Sequence, residues 1–446
     1  MSTKIKIQIK KKVQLTPCGV VQSTSVIAVP DAIHVKELTM VETFVGAGGA
    51  HLGFQKAGFK SLLVNDIDPN MIETLVRNHV VDPNRCLTCP IEEITQNMLE
   101  KDKSLAAVDV LFGGIVCKGF SLAGVRNPFD IRNYLYQHQL RLVEWLKPKV
   151  SIIENVVGIK NMILYHKCEQ TQSIFEEYTK LSDANKDLNG VKSSKRKSNE
   201  SYLDLNVTIQ DNKKIMAQLI QSIEKYKYNV LDDIKQIYER LGYTLYEKVL
   251  QADQYGGYTN RKRLIMVAVR KDLNLVYHFP EELQTSYTLQ DALHLIDYEG
   301  LNHPSVDEDN RPMNHTEKTI SRFRLIPEGS NIGEVVDDLP DDLKISNFYS
   351  RGNTQRLDRN KPCPTLVPGH SNFPIHPWEH RSITVREAAT ITGFPTDYRF
   401  CGSHTSKCIQ IGNAVPIQLA HQLARSVKQM LTPNSASASA SASASF

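Results

Sequence analysis

The sequence predicts an α/β fold built around a mainly parallel sheet. From Met40 onward, apolar strand-like runs end in polar or glycine residues: MVETFVG, LLVND, VDVLFGG and VSIIENV. Stretches with helical periodicity separate these runs, and strands that alternate with helices favour a parallel sheet covered by helices. The clearest helix is NYLYQHQLRLVEWLK at residues 133–147, which Pro148 ends just before the strand VSII.

Composition indicates a soluble, intracellular protein. The 446 residues include 53 Lys and Arg against 49 Asp and Glu, and the net charge of +4 only weakly favours a polyanionic partner. No apolar run reaches the roughly 18 residues of a membrane span, and the lysine-rich start lacks the apolar core of a signal peptide. The eight cysteines are too dispersed for a disulfide framework, so we expect mostly free thiols.

Changes of pattern divide the chain into segments. A polar stretch containing GVKSSKRKSNES interrupts the α/β pattern, and we expect it to be looped out or partly disordered. We expect this stretch to be a solvated surface loop. The alternative is that its basic residues, Lys192, Lys195, Arg196 and Lys197, contact nucleic-acid phosphates. The predicted segments are a basic N-terminal arm (1–35), an α/β domain (36–270) with the polar insertion at about 165–228, a second lobe (271–400), a helical C-terminal segment (401–431) and a low-complexity tail (432–446).

The first strand leads into a glycine-rich loop, FVGAGGAHLGF. Gly46, Gly48 and Gly49 let the backbone turn tightly and approach a nucleotide-like ligand where the next helix begins. Asp66 follows near the end of the next strand, about 20 residues on, where an acidic residue commonly binds ribose hydroxyls. The pair indicates an adenosine-containing cofactor, although a plain turn with Asp66 as a helix cap would give the same pattern.

Two reactive side chains follow the third and fourth strands. Cys117 lies in the glycine-flanked loop IVCKGFSLAG, where a thiol can be exposed, although a lone cysteine is more often buried. In the run VSIIENV, Glu154 and Asn155 follow the buried Ile152 and Ile153, and a carboxyl at the end of a buried strand is costly unless it is paired or used. Ligands of open parallel sheets bind beyond the carboxyl ends of the strands, so both residues should face one crevice.

A pair of arginines opens a later strand, in QYGGYTNRKRLIMVAV. Arg261 and Arg263 occupy alternate positions, so both should point to the same face, and Lys262 to the other. Alternating arginines are often only solvated. Here an apolar strand follows directly, which favours a place in the crevice beside the carboxyl and the thiol.

These motifs, in this order, resemble those of the DNA (cytosine-5)-methyltransferase family over about residues 36–425. FVGAGGAHLGF is similar to its cofactor loop, GGIVCKGFS to its nucleophile motif, IIENV to its acid motif and the arginine strand to its substrate-binding motif. Later blocks that resemble the family are RLDRNKPCPTLVPG, RSITVREAATITGFPTDYRF and IQIGNAVPIQLA.

The resemblance implies an S-adenosylmethionine-dependent methyltransferase with a Rossmann-like, mostly parallel seven-stranded sheet. Residues 271–400 would form a smaller target-recognition lobe, and residues 401–431 would rejoin the catalytic domain. The implied partner is double-stranded DNA, bound by a monomer. Members of this family often accompany a restriction endonuclease, so a cognate endonuclease is a further expectation.

The resemblance also implies roles for single residues. Cys117 would attack carbon 6 of a flipped-out cytosine, Glu154 would hydrogen-bond its ring nitrogen and exocyclic amine, and Arg263 would hold its carbonyl oxygen, with Arg261 beside it. Residues implied in cofactor binding are Phe44 at the adenine, Asp66 at the ribose, the glycine loop with Gly46, Gly48 and Gly49 at the methionine end, and Ile91 and Asn413.

Several residues depart from the family pattern. Val116 replaces the usual proline before the nucleophile, and Lys118 the usual glutamine after it. Proline would stiffen that loop by fixing φ, so valine leaves the thiol less rigidly held. Tyr258 and Thr259 replace a proline and a glutamine ahead of the arginines, and Pro90 stands where many members have an acidic residue near the adenine.

Other functions fit the motifs less well. A DNA-binding homologue with weak or no catalysis is the main alternative, because of the departures around Cys117. A nicotinamide dehydrogenase with the same glycine loop would leave Cys117, Glu154 and the arginines unexplained. The chemistry alone does not separate RNA from DNA. Cys86 and Cys89 form CLTC, but a zinc site normally needs four ligands, so we expect no metal.

Overall fold

The computed structural model describes residues 11–15, 21–25, 37–115, 127–197, 201–345, 352, 354–367 and 373–432. It divides into two compact units, Met1–Glu37 and Leu38–Phe446. In the first, strands β1 (Lys11–Leu15) and β2 (Val21–Ser25) pair antiparallel. The predicted nucleophile Cys117 and its neighbours Val116 and Lys118 lie outside the described residues.

The second unit is an α/β structure. Its strands are β3 (Leu38–Thr43), β4 (Phe59–Asp66), β5 (Cys86–Thr88), β6 (Val110–Gly114), β7 (Val150–Asn155), β8 (Ile163–Tyr165), β9 (Lys227–Asn229), β10 (Tyr243–Gln251) and β11 (Lys262–Arg270). Its α-helices are α1 (Gly49–Lys56), α2 (Pro69–Arg77), α3 (Gln96–Glu100), α4 (Leu135–Leu146), α5 (Glu169–Lys197), α6 (Leu203–Ser222), α7 (Val230–Arg240), α8 (Leu289–Leu293), α9 (Glu317–Leu325), α10 (Val385–Thr392), α11 (His404–Asn413) and α12 (Ile417–Leu431).

Seven strands form the main sheet, in the order β10-β11-β7-β6-β3-β4-β5. Strand β11 runs antiparallel to both of its neighbours, and the pairs from β7 to β5 are all parallel. Six of the seven strands therefore point the same way. The prediction of a mostly parallel seven-stranded sheet is confirmed.

Apolar side chains cover both faces of the sheet. On one face, Ile153 of β7 packs in a hydrophobic cluster with residues of α4 and α7. On the other face, its neighbour Ile152 packs in a cluster with residues of α1 and α12. Successive residues of a strand point to opposite faces, so a strand buried on both faces has a continuous apolar run. This is why VSII and LIMVAV are apolar without alternation.

The helix predicted at residues 133–147 is confirmed as α4, with Leu135, Leu142 and Leu146 buried. It ends at Lys147, whose φ of 45° lies in the left-handed region, and Pro148 follows.

The expectation of a looped-out or partly disordered insertion is wrong for the part that the structure describes. Residues 169–197 and 203–222 form the long helices α5 and α6, which pack against each other, and Nδ2 of Asn212 on α6 donates to Oδ1 of Asn185 on α5 at 2.9 Å. Strand β8 precedes α5 and strand β9 follows α6, and the two strands pair antiparallel where the helices begin and end. We call residues 169–222 the helical arm. Apart from residues at the root such as Phe175 and Tyr178, which join the main core, the two helices pack mainly on each other and lack a continuous apolar stripe, so their periodicity is weak.

The region after β11 has two cores. Phe323, Ile326, Ile332, Leu339 and Ile375 form a small cluster of their own. Other residues of this region, such as Leu289 and Ile383, pack with Val64 and Leu75 of the α/β part. None of the helices in the described residues is long and apolar enough to cross a membrane.

Candidate active site

Four strands of the sheet end side by side at one edge. Thr43 of β3 lies opposite Asn65 of β4 on one side and Gly113 of β6 on the other, and Gly114 lies opposite Glu154 of β7. The residues that follow these strand ends are those that the motifs identified. The sheet therefore brings the glycine loop, Asp66 and Glu154 to one edge, where parallel strands end together.

The glycine loop has an unusual backbone. Phe44, Gly46 and Gly48 have φ values of 53°, 55° and 89°, all in the left-handed region. For a non-glycine residue such as Phe44 this conformation costs on the order of 1–2 kcal/mol, so the surrounding contacts must hold it. A Cβ on Gly46 would meet no atom within 4 Å. The loop therefore leaves open space beside its backbone at Gly46.

Packed contacts hold the other end of the loop. A Cβ on Gly49 would lie 2.4 Å from the carbonyl oxygen of Val415, so only glycine fits against the returning C-terminal segment. The Tyr398 hydroxyl donates to the Ala47 carbonyl at 2.8 Å. No sequence pattern indicated this second contact, because the two residues are far apart in the chain.

Asp66 joins the ends of β3 and β4. Its carboxylate accepts hydrogen bonds from the backbone N–H of Gly46 at 2.9 Å and of Asp68 at 3.0 Å. Burial raises the pKa of Asp66, and these backbone hydrogen bonds oppose that rise without cancelling it. The next residue, Ile67, is 65% exposed. Asp66 thus supports the glycine loop and keeps lone pairs for a ligand.

A buried acid–histidine pair lies beneath the loop. Nδ1 of His51 on α1 is 2.9 Å from Oε2 of Glu42 on β3, and both side chains are fully buried. Burial raises the pKa of Glu42, and the hydrogen bond and charge of His51 oppose the rise. The pair ties the strand before the loop to the helix after it. Sequence reasoning missed it.

Glu154 forms a buried ion pair with Arg263 of the neighbouring strand. Arg263 Nε lies 2.6 Å from Glu154 Oε1, and the side chains are 9% and 8% exposed. A Cβ on Gly114 would be 3.9 Å from Oε2 of Glu154, so the glycine leaves room beside the carboxyl. In the described part of the chain, neither carboxylate oxygen of Glu154 accepts a hydrogen bond, and Oε1 is buried, so its contact with Arg263 is an ion pair without hydrogen-bond geometry. The carboxyl therefore keeps hydrogen-bonding capacity for a ligand.

Asn155 fixes the chain just before the nucleophile segment. Its Nδ2 donates to the Ile115 carbonyl at 3.3 Å, and its Oδ1 accepts from the Val156 N–H at 2.8 Å. Ile115 is the last described residue before Cys117. The end of β7 thus positions the exit of β6.

The two arginines have different partners. Arg263 contacts Glu154, whereas Arg261 donates from Nη1 to the Leu366 carbonyl and from Nη2 to the Asn413 carbonyl, both at 3.3 Å. Both side chains are buried while Lys262 is exposed, as the alternation predicted. Arg261 thus joins the arginine strand to the two later blocks of the chain. Its partners lie 105 and 152 residues away, so no local pattern could have revealed them.

Backbone pairing strengthens this junction. The Asn260 N–H donates to the Cys363 carbonyl at 3.0 Å, and the Cys363 N–H donates to the Tyr258 carbonyl at 2.8 Å. Thr259, one of the departures from the family pattern, is buried within this pairing.

Two further predicted cofactor residues, Ile91 and Asn413, differ in their exposure. The Ile91 side chain lies in the hydrophobic core, and its carbonyl accepts from Nη2 of Arg141 at 3.0 Å. The Asn413 side chain is exposed, and its backbone carbonyl accepts the hydrogen bond from Arg261. The Ile91 side chain is therefore not accessible to a ligand, whereas the Asn413 side chain is. Among the described residues, no group of three or more His, Cys, Asp or Glu could hold a metal ion.

Known proteins are similar to this chain over most of its length. A family model described as C-5 cytosine-specific DNA methylase matches residues 38–214 and 218–429. The Type II methyltransferase M.Eco47II of Escherichia coli is 30% identical over 411 residues, which cover 88% of this chain and 79% of that protein. The Type II methyltransferase M1.HphI of Haemophilus parahaemolyticus is 27% identical over 405 residues, covering 90% and 89%.

Solved structures agree on the fold. A protein from E. coli described as a prophage-encoded DNA modification methyltransferase aligns with a TM-score of 0.56 at 22% identity, over 88% of this chain and 99% of that one. DNMT2 of Spodoptera frugiperda aligns with a TM-score of 0.53 at 12% identity, over 88% and 99%. With the family model covering most of its length, this chain belongs to the C-5 cytosine-specific DNA methylases and is a DNA cytosine-C5 methyltransferase.

Proposed function

We propose that this methyltransferase acts through a covalent adduct between Cys117 and carbon 6 of a flipped-out cytosine, with Glu154 and Arg263 holding the base. The observation that carries the proposal is the buried Glu154–Arg263 pair at the carboxyl edge of the sheet, with one carboxylate oxygen open beside Gly114. It lies at the end of β7, next to the exit of β6, which leads into the nucleophile segment.

The chemistry requires such a nucleophile. Carbon 5 of cytosine is a poor nucleophile until an addition at carbon 6 breaks the conjugation of the ring, and a thiolate is suited to that addition. Cys117 comes two residues after Ile115, whose carbonyl Asn155 holds. After methylation, loss of the carbon 5 proton and departure of the Cys117 thiolate restore the aromatic ring.

The ion pair matches the edge of cytosine. A carboxyl group can accept from the exocyclic amine and donate to ring nitrogen 3, and a guanidinium can donate to the carbonyl oxygen at carbon 2. Glu154 and Arg263 present these groups side by side, already desolvated. Addition at carbon 6 places negative charge in the ring, which proton donation by Glu154 and the charge of Arg263 both stabilise.

Methyltransferases of this family use S-adenosylmethionine, and the residues around the glycine loop fit it. Gly46 borders open space, Asp66 keeps lone pairs for two ribose hydroxyls, and the exposed Ile67 offers an apolar surface beside them. We propose that Phe44 and the backbone at Ile91 bind the adenine and that Gly46, Gly48, Gly49 and Asn413 bind the methionine end. When bound, the cofactor supplies an electrophilic methyl group.

The DNA and its selection are further parts of the proposal. The target base must leave the duplex, at a cost of a few kcal/mol, because carbon 6 is hidden in the stack. We propose that residues 271–400 read the sequence around it, since Arg261 links this lobe to the base-binding strand. The relatives are named Type II methyltransferases, so a defined target sequence, a monomeric enzyme inside the cell and a cognate endonuclease are expected.

The test is transfer of labelled methyl groups from S-adenosylmethionine to unmethylated mixed-sequence DNA, followed by nucleoside analysis. The intact chain should produce 5-methyldeoxycytidine, and Cys117→Ser should lose at least roughly 10³-fold in rate. Mixed-sequence RNA of equal length is the control for the polymer. Binding of DNA and cofactor without transfer would instead support a DNA-binding homologue, with Val116 and Lys118 as the first residues to revert to proline and glutamine.

A further inference from the structure

We propose that the helical arm is a DNA-binding element, whose tip contacts phosphates of the duplex at a distance from the target base. The proposal rests on duplex DNA being the substrate. The tip is the end of α5 around Lys192 and Lys195, together with the start of α6.

The arm leaves the protein at the edge where the DNA must enter. It is inserted between the end of β7, which carries Glu154, and the start of α7, the helix that returns to β10. Strands β7 and β10 point the same way, so the connection between β7 and α7 lies at the carboxyl edge of the sheet. A flipped base reaches Glu154 only from that edge.

Aromatic packing fixes the root of the arm to that edge. The ring of Phe129 lies 4.2 Å from that of Phe175 and 4.6 Å from that of Tyr178, both on α5. Phe129 belongs to the connection between β6 and α4, which also carries Cys117. The Tyr134 hydroxyl donates to the Tyr165 carbonyl at 3.0 Å, next to β9. The root is thus anchored to the described end of the connection that also carries Cys117, and the arm has a fixed starting direction.

Charge is unevenly distributed along the arm. Residues 169–187 contain five acidic and two basic residues. Residues 192–197 contain four basic residues, and no acidic residue occurs from 188 to 199. Helix geometry places Lys192 and Lys195 about 20–25 Å beyond the anchored Tyr178. At about 3.4 Å per base pair, this span corresponds to roughly six to eight base pairs.

The composition of the tip favours a polyanion over solvent alone. Cations near a helix C-terminus stabilise the helix by about 0.3–1 kcal/mol, which accounts for one or two of these residues. Four in six positions exceed that need and repel one another. A phosphate backbone relieves the repulsion and releases counterions. The two explanations differ in what they predict for DNA of different lengths.

The experiment measures methyl transfer to duplexes that carry the enzyme's mapped target with 4 or 20 flanking base pairs on each side. For Lys192→Gln/Lys195→Gln, we expect KM for the long duplex to rise roughly tenfold and the slope of log affinity against log salt to fall by about 2. On the short duplex, KM should stay within about twofold of the intact protein, because the tip reaches past its ends. The turnover number should not change on either duplex.

Matched variants separate charge at the tip from charge in general. Lys213→Gln/Lys214→Gln removes the same charge from exposed positions midway along α6 and should behave like the intact chain. Lys192→Arg/Lys195→Arg keeps the charge and should restore tight binding. Equal losses on both duplexes, or equal losses in the midway variant, would overturn the proposal. A binding assay with mixed-sequence duplexes of the same two lengths gives the answer even if no methyl group is transferred and no target can be mapped, so failure of the catalytic proposal remains distinguishable.

Discussion

Two buried charge clusters in this protein differ in how completely their carboxylates are hydrogen-bonded. At the sheet edge, Glu154 forms an ion pair with Arg263, but neither of its oxygens accepts a hydrogen bond from the described residues. Near the C-terminal blocks, Asp307 accepts from Arg386, Asn302 and Arg399 and from the backbone N–H of Asp309, so that both of its oxygens are used. Both carboxylates are buried, yet only one has capacity left for a substrate.

The difference indicates that the Glu154–Arg263 pair can bind a substrate, whereas the Asp307 network has a structural role. Asp307, with its partners, joins the chain around residue 307 to α10 and to the segment before α11, and Asp309 extends the network to Lys407 on α11. A saturated network of this kind specifies one packing arrangement and leaves nothing for a ligand. A buried carboxyl with open lone pairs is poorly satisfied in the free protein, which is acceptable where a bound base completes it.

Replacing Glu154 by Gln tests most directly whether the Glu154 carboxyl acts on the substrate. The amide keeps the shape but cannot supply a proton to ring nitrogen 3, so we expect the turnover number to fall roughly 10²–10⁴-fold. Methyl transfer under saturating DNA and cofactor measures the effect. The midpoint of urea unfolding should move little in comparison. A variant with near-normal turnover would contradict the role of Glu154 in catalysis.

Replacing Asp307 by Asn should have the reverse effect. Arg386 would stay fully buried and lose its nearer carboxylate partner, keeping only Asp309 at 3.7 Å, and breaking a buried pair typically costs about 3–5 kcal/mol. Equilibrium urea unfolding of the variant measures the loss. Turnover per folded molecule should stay near that of the intact chain at low temperature. If stability were unchanged and turnover lost, the network would belong to the site.

Acid should destabilise the protein in two steps. Burial lowers the pKa of His376 to about 4, so its contribution is present near neutral pH and is lost as pH falls from its ordinary value of about 6.5 towards 4. For Asp307, burial acts to raise the pKa, but the hydrogen bonds and charge of Arg386, with Asn302 and Arg399, outweigh it and hold the pKa below the ordinary range. Its contribution is therefore present above about pH 4 and is lost below it.

Unfolding free energies measured from pH 7 to 2 test these steps. His376→Gln should flatten the upper step, and Asp307→Asn should make the lower step shallower by up to about 1.4 kcal/mol per pH unit, the value for one proton. Identical profiles for Asp307→Asn and the intact chain below pH 4 would show that the Asp307 carboxylate is not stabilised by its partners.

Asp66 lies between the two extremes and should show the smallest effect. It accepts two backbone hydrogen bonds and remains partly accessible, so Asp66→Asn should raise KM for S-adenosylmethionine roughly tenfold, about 1.4 kcal/mol. KM for DNA is the internal control and should not change. Equal changes in both constants would indicate a general distortion of the sheet edge.

Residues near one another in sequence account for what could be predicted. The strand runs, α4 and the placement of Asp66 and Glu154 after strands follow from local periodicity and from the rule that strand ends share an edge. The arm was missed because α5 and α6 are polar on most faces, and a helix without an apolar stripe resembles a loop in sequence.

Long-range contacts could not be predicted. Arg386 lies 79 residues from Asp307, and Arg261 lies 105 residues from Leu366, so no local pattern indicated these partners. His51 and Glu42 are only nine residues apart, but their contact depends on the left-handed turn between them. Partners of this kind appear only once the fold is known.

The most direct test of the covalent mechanism uses mixed-sequence duplex DNA in which 5-fluorocytosine replaces cytosine, incubated with the protein and S-adenosylmethionine. Fluorine at carbon 5 cannot leave as a proton does, so the ring stays bonded to the nucleophile after methylation. We predict a denaturation-resistant protein–DNA adduct whose peptide map assigns the bond to Cys117, and no adduct with Cys117→Ser. An adduct at another cysteine, such as Cys86, or methyl transfer without any adduct would contradict the account.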